Sequence, residues 1–313
     1  MEKAHKLDHS AINKRIAANR INDRAVINRI EKILIHKRGY VFNMPKKRSP
    51  VIVLMSGGLD TTVVASILLK EYGLQVYPLF INRMLPHEKR IKKSLAFFSA
   101  YFRRQYPGQF HDIFEMKFTV PPAEVKDVIL RKENDVIKYQ NRKGVPLQPS
   151  FYANYGVYYA KYLEEVNGVN VRTIVGAWLP SNSEWYGYES FQSLRAIMLN
   201  LCCMDDDFSW QFTSLPMEKE LGYFFDKDEL VRIGTAHRLP LEKTWTCYKG
   251  ERLHCGTCPP CSTRMKAFHN AGIHDNTAYG DGLTEAERIK KYIKMILPVR
   301  QLKAFLQRRY MSL

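Results

Sequence analysis

The chain has 313 residues, 45% hydrophobic and 25% charged, which is enough to bury a sizeable core and too apolar for a disordered chain. It carries 48 Lys/Arg against 31 Asp/Glu, a net charge of +17, and this favours polyanionic partners or nucleotide substrates. No run of eighteen apolar residues occurs and the polar first residues lack a secretory apolar stretch, so no membrane span is expected and a cytoplasmic location is.

Residues 1–49 read as a basic helical extension, with Ile12, Ile16, Ile21, Val26, Ile27, Ile30 and Leu34 recurring at roughly helical spacing. Two readings stand side by side. The segment is an accessory arm for nucleic acid or a protein partner, or it is a basic helical element docked on the core by its aliphatic residues. Pro45 and Pro50 in MPKKRSP mark a boundary. Val51–Met55 is apolar enough for a short buried parallel strand. Ser56, Gly57 and Gly58 break that pattern, and Thr61 and Thr62 stand where a helix running to Tyr72 begins. Glycines let backbone approach an anion, and a helix N-terminus offers unpaired N–H groups, so strand, glycine turn, helix suits phosphate or pyrophosphate. An ordinary glycine turn is the competing reading.

Alternation continues with a strand at Gln75–Ile81, a helix at Lys89–Arg104 and a strand at Ile113–Phe118. The stretch 119–150 is weakly periodic and reads as a lid or irregular insertion. A helix around Tyr152–Glu165, a strand at Arg172–Gly176 and a helix at Ser193–Met204 follow. Alternating strands and helices give an α/β, doubly wound parallel sheet over 50–240, with ligands expected beyond the carboxyl ends of the strands. Cys202 and Cys203 fall in an apolar helical segment and are expected in the core.

The region 241–313 holds Cys247, Cys255, Cys258 and Cys261, at intervals of seven, two and two intervening residues. Close thiolates are soft ligands, and Zn²⁺ takes four in a tetrahedron with no open position, so a structural zinc knuckle is expected. An iron–sulfur cluster and unliganded thiols are the alternatives. His254 adjoins a ligand and is not needed as one. A basic helix, TEAERIKKYIKMIL, closes the sequence with Thr284 and Glu287 at capping-box spacing.

S-G-G-x-D-T-T at 56–62 lacks the Lys of a P-loop and resembles the PP-loop of the ATP pyrophosphatase superfamily, whose fold is of the adenine nucleotide alpha hydrolase-like kind. Together with TWTCYKG and HCGTCPPC, and with Arg264, Ala267 and Phe268 after Cys261, it resembles the 7-cyano-7-deazaguanine synthases of the queuosine pathway over roughly 50–270. The resemblance implies ATP and Mg²⁺, adenylation of a carboxylate on a 7-deazaguanine, attack by ammonia to give an amide, and a second activation to the nitrile. It implies that Ser56, Gly57, Gly58, Thr61 and Thr62 meet phosphates, that Asp60 orients the loop or reaches Mg²⁺, and that Lys227 in DKDELVRIG neutralises phosphate charge. Phe80 and Ile81 are expected to flank adenine, with Gly176 close by.

Two departures mark the substrate region. LQPSFYAN at 147–154 stands where the family carries V-P-G-R-N. YGYESFQ at 186–192 stands for S-G-Y-P-D-C-R, with Ser190 and Gln192 at its Asp and Arg positions. Glu189 offers a carboxylate one place earlier, able to accept from the N–H edge of a guanine-like base. Trp185 and Tyr188 offer stacking surfaces, or are core aromatics. The expectation is a specialised relative. It makes the amide or nitrile, or joins a deazaguanine to a macromolecule, as in a bacterial antiviral defence system. Competing readings are a PP-loop tRNA-modifying enzyme and a zinc-stabilised nucleic-acid or partner-binding protein with a degenerate ATP site. A homodimer is open.

Overall fold

The computed structural model describes residues 7–85, 87–118, 147–184, 187–249, 252–280 and 287. Most of the insertion at 119–150, Trp185, Tyr186 and the expected C-terminal helix from Thr284 therefore lie outside the described residues. The sheet forms from five short strands in the spatial order β3-β2-β1-β4-β5, every neighbouring pair parallel. These are β1 (Pro50–Leu54), β2 (Gln75–Asn82), β3 (Phe114–Lys117), β4 (Thr173–Gly176) and β5 (Gln211–Ser214). The chain winds outward from β1 to β3, then returns to the other side of β1 for β4. The crevice beyond the carboxyl ends of β1 and β4 is thus the switch point where such sheets bind ligands.

Period-two geometry explains why β1 is apolar throughout. Ile52 and Leu54 belong to one buried cluster, with Ile174 and Phe212; Val51 and Val53 belong to the other, with Val76 and Val175. The second face is covered by α3 (Leu59–Lys70), α4 (Glu88–Gln105), α7 (Lys227–Ala236) and α8 (Pro259–Ala271). The first is covered by α5 (Gln148–Asn167), α6 (Phe191–Met204) and the N-terminal helices α1 (His9–Ala18) and α2 (Arg24–Arg38).

Asp8 caps α1 by accepting from Ala11 N at 2.7 Å, and Asp23 caps α2 by accepting from Ala25 N at 2.7 Å. Ile12, Ile16, Ile27, Ile30 and Leu34 are buried in the same cluster as the strands, as docking requires, whereas Ile21 and Val26 stay partly exposed. Each buried isoleucine contributes about 2 kcal/mol of apolar transfer. Polar ties reinforce this. Arg38 Nη1 donates to the carbonyls of Trp210 (2.6 Å) and Phe208 (3.1 Å) beside β5. Arg195 on α6, wholly buried, donates to both carboxylate oxygens of Glu218 (2.7 and 2.9 Å) and to Glu31 of α2 (3.1 Å). Lys219 completes the cluster on Glu31 at 2.6 Å.

One expectation is corrected: Cys202 is buried, but Cys203 is exposed. Leu201 and Cys202 fill the buried side of α6, and Cys203, about 100° further round the helix, falls beyond its edge. β5 escaped the sequence reading because QFTS is four residues, all buried, with no alternation.

Candidate active site

β1 ends at Leu54, and the chain turns through Gly57 and Gly58 before α3 opens at Leu59. Gly57 has φ +71°, a region that favours glycine. Space demands glycine as well, since a Cβ there would lie 3.0 Å from the Ile91 carbonyl oxygen and 3.3 Å from Leu95 Cγ. The Gly57 carbonyl accepts from Ser94 Oγ (2.8 Å) on α4 and from Trp245 N (2.9 Å), which pins the turn from two sides. Gly58 is the N-cap of α3 and supplies no side-chain cap, leaving first-turn N–H groups available to a ligand.

The hydroxyls divide into two sets. Ser56 N donates to Thr61 Oγ1 (3.1 Å), and Ser56 Oγ lies 3.2 Å from Thr61 Oγ1; both residues line a cleft. Thr62 is buried and spends its hydroxyl on the Gly58 carbonyl at 2.7 Å, so it shapes the turn. Asp60 also lines the cleft. Its Oδ2 pairs with Lys227 Nζ at 3.0 Å, and its buried Oδ1 has no hydrogen-bond partner among the described residues. Lys227 is the first residue of α7, where a capping box has Glu229 accepting from Asp226 N at 3.0 Å. Asp226 also accepts from Ser181 N at 3.0 Å, tying α7 to the loop after β4. Asp60 and Lys227, far apart in sequence, thus meet at the mouths of two helices.

The cleft has a volume of about 310 Å³, within the range of small-molecule sites. Phe80 and Ile81, at the end of β2, line it together with Asn82 and Arg83. Gly176, at the end of β4, lines it as well. A Cβ on Gly176 would fall 2.1 Å from the Trp178 ring, so glycine here lets Trp178 fold back into the cleft wall. Gln148, Tyr152, Asn182 and Glu189 complete the polar lining. Glu189 is the unusual one. It is buried, its Oε2 has no hydrogen-bond partner among the described residues, and burial pushes its carboxyl up to about 7 against a hydrogen bond from Asn182 and the charge of Arg83. Tyr188 sits half-buried on the same 3₁₀ turn, Gly187–Glu189. Ser190 caps α6 by accepting from Ser193 N at 3.2 Å.

Sequence reasoning did not single out Asn82, Arg83, Gln148 or Asn182. Asn82 and Arg83 directly follow the flagged Phe80–Ile81, so the strand-end rule could have reached them. Asn182 carried no sequence signal.

The four cysteines Cys247, Cys255, Cys258 and Cys261 are buried, with their sulfurs within 4.8 Å of one another. Cys258 Sγ lies 3.4 Å from Cys261 Sγ and 4.0 Å from Cys247 Sγ. Four thiolates ~2.3 Å from one ion stand roughly 3.8 Å apart in a tetrahedron, so the donor set fits a single soft ion. Backbone N–H groups of Lys249 and Cys255 point at Cys247 Sγ (3.4 and 3.3 Å), and those of Thr257 and Cys258 at Cys255 Sγ (3.4 and 3.2 Å), as thiolate ligands require. His254 accepts from Thr246 N at 3.2 Å, a use of its Nε2 other than ligation. Buried Arg264 braces the approach, donating to Thr244 Oγ1 (2.7 Å), the Leu241 carbonyl (2.9 Å) and Asp275 (3.1 Å). The knuckle touches the cleft directly: Tyr248 lines it and Trp245 N holds Gly57.

The sequence model of the family described as "Queuosine biosynthesis protein QueC" matches residues 216–272, the span from the buried Glu218 through the knuckle to the end of α8. The 7-cyano-7-deazaguanine synthase of Thermoplasma volcanium is 26% identical over 253 residues, covering 75% of this chain and 92% of that protein. The synthase of Paracoccus denitrificans is 53% identical, over 55 residues that cover 18% of this chain and 24% of its own. This chain is a divergent relative of those synthases. High identity is confined to 55 residues and the long match is weak; the residues matched by the family model, 216–272, include all four cysteines. Among solved structures, the U34-tRNA thiolase NcsA of Methanococcus maripaludis, with its 4Fe–4S cluster, matches at 12% identity and a TM-score of 0.31, covering 87% of this chain and 80% of that one; a likeness at that level carries no weight. No helix among the described residues is long and apolar enough to cross a membrane.

Proposed function

We propose that the chain uses ATP to adenylate a carboxylate on a 7-deazaguanine-type base, releasing pyrophosphate. One juxtaposition carries the reading: Ser56, Asp60 and Thr61, the anion-binding turn, line the same cleft as the buried carboxyl of Glu189, whose Oε2 has no hydrogen-bond partner among the described residues. Phosphate and a flat base with N–H donors therefore have matched partners in one small space. Phe80, Ile81 and Gly176 supply the apolar walls for adenine. A carboxylate is a poor electrophile. One of its oxygens attacks the α-phosphorus, the bond to the bridging oxygen breaks, and pyrophosphate carries off the electron pair. Ser56, Thr61 and the first-turn N–H groups of α3 stabilise that developing charge, with Lys227 as the nearby cation. Asp60 holds Lys227 in place, and its Oδ1, which has no hydrogen-bond partner among the described residues, would hold Mg²⁺, which would supply neutralisation of phosphate charge.

The acyl adenylate is then open to a nucleophile. Ammonia gives the amide, which a second activation dehydrates to the nitrile; an amine on a protein or nucleic acid gives a conjugate, the course expected of a defence enzyme. The basic surface of α1 and α2 is compatible with a macromolecular acceptor. Zinc is the proposed ion at the four cysteines. Sulfurs this close leave no room for the sulfides of an iron–sulfur cluster, and the closed donor set serves the fold. The test is ATP–pyrophosphate exchange in the presence of 7-carboxy-7-deazaguanine. Acid-dependent exchange is expected; none with zinc-loaded protein would contradict the reading.

A further inference from the structure

Glu189 stands at the end of a single 3₁₀ turn, Gly187–Glu189, and so short a turn has little internal support. Part of its support is local, since Ser193 Oγ donates to the Gly187 carbonyl at 2.9 Å, and part comes from the other end of the chain. α1 and α2 are joined by residues 19–23. Asn22 Nδ2 donates to the Ile16 carbonyl at 3.0 Å, which anchors the side chain to α1. Asn22 Oδ1 accepts from Gln192 N at 3.1 Å, and Gln192 Oε1 accepts from Asp23 N at 2.6 Å. Gln192 is the second residue of α6, so its N–H has no partner within the helix. Ser190 serves Ser193 from within the segment, and Asn22 serves Gln192 from 170 positions away. Ile21 lies over the turn: a Cβ on Gly187 would meet its Cγ2 at 3.5 Å and its Cδ1 at 3.7 Å. One turn further along α6, Arg195 is bound to Glu31 of α2 at 3.1 Å.

We propose that the α1–α2 turn is a positioning element of the acid-binding site. Asn22 and Gln192 clamp the segment 187–192 so that the Glu189 carboxyl faces the cleft, without either touching substrate. What Glu189 meets there rests on the adenylation reading; the clamp itself does not. It accounts for two oddities together: a basic extension woven into the core, and a glutamine where the synthase pattern carries arginine.

Amide hydrogen–deuterium exchange on the full-length, ligand-free protein tests the clamp. Asn22→Ala and Gln192→Ala should each speed exchange across 187–192 about tenfold, the scale of one lost hydrogen bond, with the sheet unchanged. Asp8→Ala, which removes the α1 cap, is the control for general loosening and should leave 187–192 within about twofold. In acid-dependent ATP–pyrophosphate exchange, Asn22→Ala should raise the KM for the acid about tenfold and leave the KM for ATP within about twofold. Parent-like exchange across 187–192 in both clamp variants, or equal speeding in the Asp8 control, would overturn the proposal, as would both KM values rising together. A parent protein with no acid-dependent turnover would sink the adenylation reading, and the amide rates would still decide on the clamp.

Discussion

Replacing Glu189 by Gln should change how stability depends on pH. The carboxyl is buried, with an ordinary value of 4.5 pushed up to about 7. Below pH 4.5 it is protonated in both folded and unfolded chains and ionisation costs nothing. Between pH 4.5 and 7 the unfolded chain releases the proton while the folded one retains it, so stability falls as pH rises. Above pH 7 both are ionised, and the folded chain carries the cost of a buried charge that Asn182 and Arg83 offset only in part. At about 1.36 kcal/mol per pH unit, roughly 2.5 units amount to about 3 kcal/mol. The Glu189→Gln variant has no such dependence, and the altered bond to Asn182 is the same at every pH, so it cancels in the comparison. Urea unfolding of parent and variant at about pH 4.5 and about pH 8 reads the effect directly. The parent should lose about 3 kcal/mol more than the variant over that range. Parallel curves would show that the carboxyl is solvated, and the cleft argument built on it would fail.

Gly176→Ala should destabilise the fold by about 2 kcal/mol or more, because the new methyl overlaps the Trp178 ring; a thermal melt checks it, and an unchanged melting temperature would contradict the packing. Arg195→Met leaves Glu31 and Glu218 buried without their main cation, and denaturant unfolding should show a loss of about 3–5 kcal/mol. Cys258→Ser should cut bound zinc, measured by elemental mass spectrometry, from about one ion per chain to well below half. Because Trp245 links the knuckle to Gly57, the same variant should also weaken ATP binding. Lys227→Ala leaves Asp60 without its partner and should lower kcat for pyrophosphate exchange at least about tenfold with little change in the KM for the acid.

Much of the site was legible because its signals are local. Ser56 to Thr62 carry strand end, glycine turn and helix start in one short run, and the cysteine intervals mark out a cluster with metal-ligand spacing without any knowledge of the fold. The cysteines converge within 4.8 Å as those intervals imply, and the alternation of strands and helices becomes a parallel sheet with two buried faces. What stayed hidden depends on contacts between distant positions. Nothing near Asn22 announces Gln192, and nothing in Glu31 announces Arg195; each pair exists only once α2 lies along α6. The hydroxyls of Thr61 and Thr62 look alike in sequence, but only Thr61 faces the cleft, because successive helix positions point about 100° apart. Cys202 and Cys203 part for the same reason.

The central claim is that AMP passes to a carboxylate in the cleft beyond β1. Supplying 7-carboxy-7-deazaguanine labelled with ¹⁸O in its carboxylate, together with ATP and ammonia or another amine, tests it most directly. Adenylation moves one carboxylate oxygen onto phosphorus when the acyl adenylate is cleaved, so mass spectrometry should find ¹⁸O in the AMP released. Unlabelled AMP, or ADP with phosphate in its place, would contradict the account.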